Sequence, residues 1–189
     1  MHLRAYDAID AQIAETEIKL AERAKPYAAA IEKLDAVPGI NPLAAVTVLA
    51  ETGVDMSVYR NAHHLTSLAG LAPGNSISAD KRRRIALPKG NRYLKRICVQ
   101  IAWAASRKNG SFLRSRFNRL SYRIGRNKAI VATARHVLII VYLMLAGDDS
   151  YKDLGSEFYE KRNKERSIKR HVQRLEKLGF TVDLKPTTA

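Results

Sequence analysis

The chain has 189 residues, 46% of them apolar, a single cysteine (Cys98) and a net charge of +15 with a pI near 10.1. This composition excludes a disordered chain, a disulfide-stapled fold and a cysteine metal centre. The charge is unevenly placed: residues 1–80 hold six Lys/Arg against ten Asp/Glu, residues 81–147 hold seventeen and no acid, and residues 148–189 hold ten against eight.

Residues 3–34 read as helix. Tyr6, Ile13, Leu20, Tyr27 and Leu34 recur every seven residues, with Ala24 and Ile31 at the second seam position. Asp10 and Glu17 occupy that position in the first half and weaken the seam there. Pro26 breaks or kinks the run near Lys25, which predicts one amphipathic helix to Ala24 and a shorter one from Pro26 to Ala36. Residues 1–25 read as a coiled-coil arm that makes a homo-oligomer, or else as a helix packing on its own domain. No secretory signal is visible, which points to a cytoplasmic protein.

At Val37-Pro38-Gly39-Ile40-Asn41 a helix ends in a tight turn, and Pro42 opens the next at its first position. Ala44, Ala45, Val48 and Leu49 give that helix a small, closely packing face. The pattern suggests a helix-hairpin-helix element, in which N–H groups near a glycine hairpin grip one DNA phosphate. Gly39 and Asn41 are its candidate contacts; a hairpin of two helices used only for packing is the other reading. A helix over 58–71 turns Ala62, Leu65, Leu68 and Ala69 inward. Its adjacent His63 and His64 diverge, so they make no bidentate metal site.

Asn91 is placed to cap a helix from Arg92 to about Arg107. That helix buries Leu94, Ile97, Cys98, Ile101 and Ala105 and leaves Arg92, Lys95 and Arg96 on its first turns. Trp103 reads as a packing anchor and Cys98 as a buried thiol. A basic helix over 111–124 packs through Phe112, Phe117, Leu120 and Ile124 and leaves Arg114, Arg116, Arg119 and Arg123 outside. Segment 129–146 is apolar almost all round, but Arg135 and His136 interrupt it. A membrane span needs ~20 apolar residues, so this segment reads as the central helix of a helical domain, with no membrane partner. A last helix runs from about Glu160 to Leu178, with Gly179 past its end. The tail from Phe180 to Pro186 alternates, as a short strand or an extended arm would. The predicted fold class is all-α: an arm over 1–25, a helical domain over 26–147, and a basic C-terminal helix and tail over 148–189.

A block of uncompensated positive charge repels itself unless it meets a polyanion. Nucleic acid fits best, because neutralising phosphates releases counterions; an anionic membrane surface and a solubilising face are the alternatives. A hydrolytic triad is hard to build, since His136 sits in an apolar helix and the basic block has no carboxylate. Asp7, Asp10, Glu15, Glu17 and Glu22 lie on the arm, so no metal site or cofactor is expected on this chain. A hydroxyl beside cations remains. The loop 73–91, "PGNSISADKRRRIALPKGN", sets Ser76 and Ser78 before Lys81, Arg82, Arg83 and Arg84. Guanidinium groups hold phosphate oxygens in a fork and stabilise charge that builds during phosphoryl transfer. A serine beside them can attack phosphorus and form a phosphoserine link. A loop that only binds phosphate is the other reading.

Four stretches add a resemblance: "VPGINPLAAVTVLAE", "LAGLAPGNSISADKRRRIALPKGNRYLKRICVQIAWAA", "RIGRNKAIVATARHVLIIVYLML" and "YKDLGSEFYEKRNKERSIKRHVQRLEKLGF". Over about residues 25 to 182 the chain resembles the C-terminal transposase domain of the serine-dependent insertion-sequence transposases of the IS-one-ten and IS-one-sixteen type, the Transposase 20 domain. The resemblance implies a serine nucleophile and recombination of double-stranded DNA under a bridge-type guide RNA. It further implies a RuvC-like domain elsewhere whose Asp-Glu-Asp-Asp site holds the metal, so magnesium is implied only through that domain. The family loop reads Pro-Gly-Asn, two variable residues, then Ser-Ala-Gly-Lys-Arg, and closes on Lys-Gly-Asn. On this chain the serine falls on Ser78, and Lys81, Arg82, Lys89, Gly90 and Asn91 match the surrounding pattern. Asp80 stands where the family has glycine, and Arg84-Ile85 replaces a Ser/Gly segment. The expectation is a truncated transposase without the RuvC-like domain, either catalytic with a partner or a non-catalytic nucleic-acid-binding module.

Overall fold

The computed structural model describes residues 2–72, 88–147 and 150–183, with the backbone of Ile77–Ser78 and Lys81–Arg82. Its helices are α1 (His2–Ala24), α2 (Ala28–Asp35), α3 (Pro42–Thr52), α4 (Ala62–Leu68), α5 (Arg92–Ala105), α6 (Phe112–Ile124), α7 (Arg126–Ala146) and α8 (Phe158–Lys177). A two-residue antiparallel ladder, β1 (Ile77–Ser78) with β2 (Lys81–Arg82), lies within the basic loop. The all-α class holds, with that ladder as a small addition.

Local chemistry sets the helix boundaries. Pro26 has no N–H to continue a helix, and the chain passes through a 3-10 turn at Lys25–Tyr27 between α1 and α2. Asn41 Oδ1 accepts from the Ala44 N–H at 2.8 Å, and Asn61 Oδ1 from the His64 N–H at 2.9 Å. Ser111 Oγ accepts from the Arg114 N–H. Each side-chain cap satisfies a donor that the first helical turn leaves open. The Asn61 cap makes α4 shorter than the sequence pattern suggests, and Leu68 at its end is 45% exposed rather than inward.

The core is built around α7, on which α5, α6, α4 and α2 pack. It contributes Ile130, Ala134, Val137, Leu138 and Val141, all buried. Leu94, Cys98, Ile101, Ala102 and Ala105 come from α5, and Ala44, Ala45, Val48 and Leu49 from α3. By length and composition α7 is apolar enough to cross a membrane, but here four other helices cover it. At the start of α7 the Arg126 guanidinium lies 5.1 Å over the Trp103 ring of α5. At the other end Lys33 Nζ donates to the Gly147 carbonyl at 2.6 Å.

Three expectations for the basic helix α6 change. Arg114 is half-buried rather than outside. Ile124 lies at the rim, exposed, while Leu113 is fully buried. Arg116 is half-buried rather than outside, because α8 supplies aromatic rings: Arg116 Nη1 donates to the Tyr159 hydroxyl at 3.1 Å. Phe158 and Tyr159 pack on Phe112, each at 5.3 Å between ring centres. The heptad seam of the N-terminal helices passes from solvent to core. Tyr6 is 65% exposed and Ile13 51%, whereas Leu34 is fully buried. Phe180–Asp183 form no regular structure, and the rest of the tail lies outside the described residues.

Candidate nucleic-acid interface

The basic loop leaves and re-enters the fold through a narrow neck. Gly70 ends the turn after α4 with φ +65, and Gly90 lies directly against it. A methyl placed on Gly90 would overlap the Gly70 nitrogen and stand 2.5 Å from the Leu68 carbonyl oxygen. A methyl on Gly70 would stand 2.7 Å from the Pro88 carbonyl oxygen. The Asn91 N–H then donates to that Leu68 carbonyl at 2.8 Å. The sequence Lys89-Gly90-Asn91 thus has a physical reason at two of its three positions. Glycine permits the backbone approach, and asparagine starts the next helix.

Asn91 has a structural role here. Its Oδ1 accepts from the Tyr93 and Leu94 N–H groups at 3.0 Å each, capping α5. Its Nδ2 donates to Glu51 Oε2 at 2.6 Å. Both ends of the amide are engaged, so α3, α5 and the loop neck meet at one side chain. Lys89 and Arg92 are exposed beside it. Arg92 Nη2 donates to the Tyr93 hydroxyl at 2.7 Å, with the guanidinium 4.7 Å over the same ring. Lys95 is half-buried and Arg96 exposed on the next turn.

Within the loop, the ladder pairs Ser78 with Lys81 and Ile77 with Arg82. The register sets the backbone of Ser78 opposite that of Lys81, with Ala79 and Asp80 between them in sequence. Ser76, Asp80, Arg83 and Arg84 lie outside the described residues.

The second predicted contact, the turn Val37–Asn41, packs against α5. Gly39 has φ +89, and a methyl there would stand 2.5 Å from the Ile101 carbonyl oxygen and 2.6 Å from the Ala105 nitrogen. Val37 and Ile40 are buried. The Ile40 N–H donates to the Val37 carbonyl, Pro42 has no N–H, and the Ala44 N–H is held by Asn41. Gly39 and Asn41 nonetheless reach the same open groove as Arg96. This groove, of about 650 Å³, runs between the start of α3 and the outer face of α5, with Leu43, Tyr93 and Ile97 among its walls. Two motifs more than fifty residues apart in sequence therefore share one surface.

Other candidate groups are accounted for by their surroundings. Burial pushes the Cys98 thiol up to about 12, which keeps it protonated at neutral pH. Burial, with the Arg116 charge nearby, lowers His136 to about 4, so it is neutral beside Phe112. His63 and His64 are both exposed, His63 within 3.2 Å of an Arg135 nitrogen. Among the described residues no group of three or more His, Cys, Asp or Glu is placed to hold a metal ion. Sequence reasoning missed Glu51, Tyr93 and Tyr159. Glu51 gives no signal along the chain, because its partner is forty residues away.

The same surface falls within a recognised segment. Residues 31–118 match the model of the Transposase IS116/IS110/IS902 family. The insertion element IS900 uncharacterized 42 kDa protein of Mycobacterium paratuberculosis is 30% identical over 140 residues. That alignment covers 73% of this chain and 35% of the relative, so the chain spans well under half of that protein's length.

Proposed function

From the premise that residues 31–118 belong to the Transposase IS116/IS110/IS902 family, we propose that this chain is the DNA-gripping, serine-bearing part of an insertion-sequence recombinase. Ser78 is the nucleophile. Its Oγ bonds to the scissile phosphorus, the bond from phosphorus to the departing deoxyribose oxygen breaks, and that oxygen ends protonated. The link conserves the phosphodiester energy for joining a second strand. Lys81, Arg82, Arg83 and Arg84 hold the non-bridging oxygens, and Lys89, Arg92, Lys95 and Arg96 track the backbone alongside. The helix-hairpin-helix turn adds Gly39 and Asn41 through the shared groove. The observation that carries this reading is the neck: Gly70, Gly90 and Asn91 fix the base of the serine loop to the start of a basic helix.

The described residues do not fit a magnesium site, and we derive no step through the metal on this chain. In this reading magnesium is held by a RuvC-like domain of a partner, and α1 pairs subunits through its exposed seam. A bridge-type guide RNA belongs to the same proposal.

A suicide DNA substrate tests the chemistry, mixed with the chain alone and with a full-length homologue whose own serine is replaced by alanine. A covalent DNA–protein adduct is expected in the mixture, and Ser78→Ala abolishes it while duplex binding persists. No Ser78-dependent adduct in either mixture sinks the catalytic reading and leaves the binding module. Raising salt from about 50 to 200 mM is expected to weaken duplex binding by orders of magnitude, as several phosphate contacts require. Binding that barely responds to salt would remove the phosphate clamp.

A further inference from the structure

Seven consecutive residues at the corner between α6 and α7, Tyr122 to Lys128, are exposed. They read Tyr-Arg-Ile-Gly-Arg-Asn-Lys and include no acid. Tyr122 is 97% exposed, the most of any large apolar or aromatic side chain among the described residues. This fold gains nothing from burying its ring, since no neighbour covers it. Two cations of the same corner, by contrast, are held in place. Arg119, one turn earlier on α6, lies 4.5 Å over the Tyr159 ring, and Arg126 lies 5.1 Å over the Trp103 ring. Each guanidinium stacks on an aromatic face and so loses less freedom when it meets a phosphate. Arg123 and Lys128 are exposed beside them.

A bare aromatic face amid cations matches the chemistry of an unpaired strand. The base stacks on the ring while the flanking phosphates meet the guanidinium groups. A duplex keeps its base faces stacked inside and offers such a ring nothing. The corner also lies apart from the serine loop. Arg126 packs over Trp103 near the end of α5, whereas the loop joins α5 at Asn91. At 1.5 Å per residue the two points are roughly 18 Å apart along that helix.

We propose that Tyr122, with Arg119 one turn earlier on α6 and Arg123 next to it in sequence, is a stacking platform for an unpaired stretch of DNA, a second contact separate from the loop 73–91. The chain then holds a duplex at one end of α5 and a displaced strand at the other.

The test uses the full chain and two fluorescein-labelled probes of equal length, oligo-dT and a duplex, read by anisotropy at about 50 mM salt. Tyr122→Ala is expected to weaken oligo-dT binding about five- to a hundredfold and to leave the duplex within about twofold. Tyr122→Phe keeps the ring and is expected to stay within about twofold on both probes. Equal losses on the two probes, or an unchanged oligo-dT affinity, overturn the platform. Tighter binding of oligo-rU than of oligo-dT by the unaltered chain reassigns the corner to RNA and overturns it as stated. If Tyr122→Ala dissociates an oligomer with oligo-dT binding intact, the corner is a subunit contact and the proposal falls. Failure of the duplex probe alone counts against the phosphate clamp of the loop end, not against Tyr122.

Discussion

At the Asn91 end of α5 the cations sit on a backbone stitched from three sides. Gly70 meets Gly90, the Asn91 N–H meets the Leu68 carbonyl, and the Asn91 amide meets Glu51. At the α6–α7 corner the cations sit on an exposed stretch, Tyr122 to Lys128. A methyl added to Gly125 would meet no atom within 4 Å. The first surface is rigid at its base and carries a loop; the second is an open edge with its guanidinium groups steadied by Tyr159 and Trp103. Positive charge is common to both, so charge alone does not distinguish the two surfaces. The packing of the backbone beneath the charge does.

Substitution at the two glycines gives the largest contrast. Gly90→Ala drives a methyl into backbone atoms that have no rotamer to yield, and is expected to cost roughly 3 kcal/mol or more. Gly125→Ala meets no neighbour, but its backbone (φ 82, ψ 156) lies in a region that only glycine adopts readily, a strain of roughly 1–3 kcal/mol. Urea unfolding of the two variants compares them directly. A Gly90→Ala loss below about 1 kcal/mol would mean that the neck is not a constraint.

Acid is expected to loosen the α6 side before the neck. His136 packs against Phe112, with Arg116 nearby and Tyr151 and Lys152 around the same cavity. Its folded value of about 4 lies below the ordinary 6.5, so the folded state resists protonation. Its stabilising contribution is complete above pH 6.5 and is lost as pH falls toward 4. The loss is on the order of 2 kcal/mol after allowing for solvent screening. Hydrogen exchange should show α6 amides losing protection across that window while the α5 amides after Asn91 hold. His136→Phe should flatten the response, and an unchanged profile in that variant would remove His136 as its cause.

The smallest effect sharpens the comparison further. Asn91→Ala removes a helix cap and orphans Glu51, an expected loss of about 1 kcal/mol. Asn127→Ala, an exposed asparagine at the corner, should stay within about 0.5 kcal/mol. Equal melting temperatures for the two variants would contradict the structural role assigned to Asn91.

Local chemistry was readable along the chain wherever neighbours in sequence decide the outcome. Pro26 ends α1, Asn41 and Asn91 cap α3 and α5, and Gly179 follows the end of α8, because capping and proline geometry act within four residues. The run 129–146 marked the central helix, because a helix apolar almost all round, interrupted by Arg135 and His136, fits a core against which several helices pack. The choice of Ser78 over Ser76 rests on the resemblance of the loop to a family pattern, and its side chain lies outside what the structure describes. Other features depend on contacts across long loops, which no periodicity encodes. Arg116 read as solvated until Tyr159, forty-three residues later, came to meet it. Leu68 read as inward, but α4 ends there. The heptad seam read as one stripe, yet its first half lies in solvent and Leu34 in the core. The sequence by itself determined most of the helices, the Asn91 cap and the basic block. Only the tertiary structure decided which glycines touch, which arginines are covered and which aromatic ring is left bare. Those depend on which helices meet, and burial is settled by the whole packed chain rather than by any stretch of it.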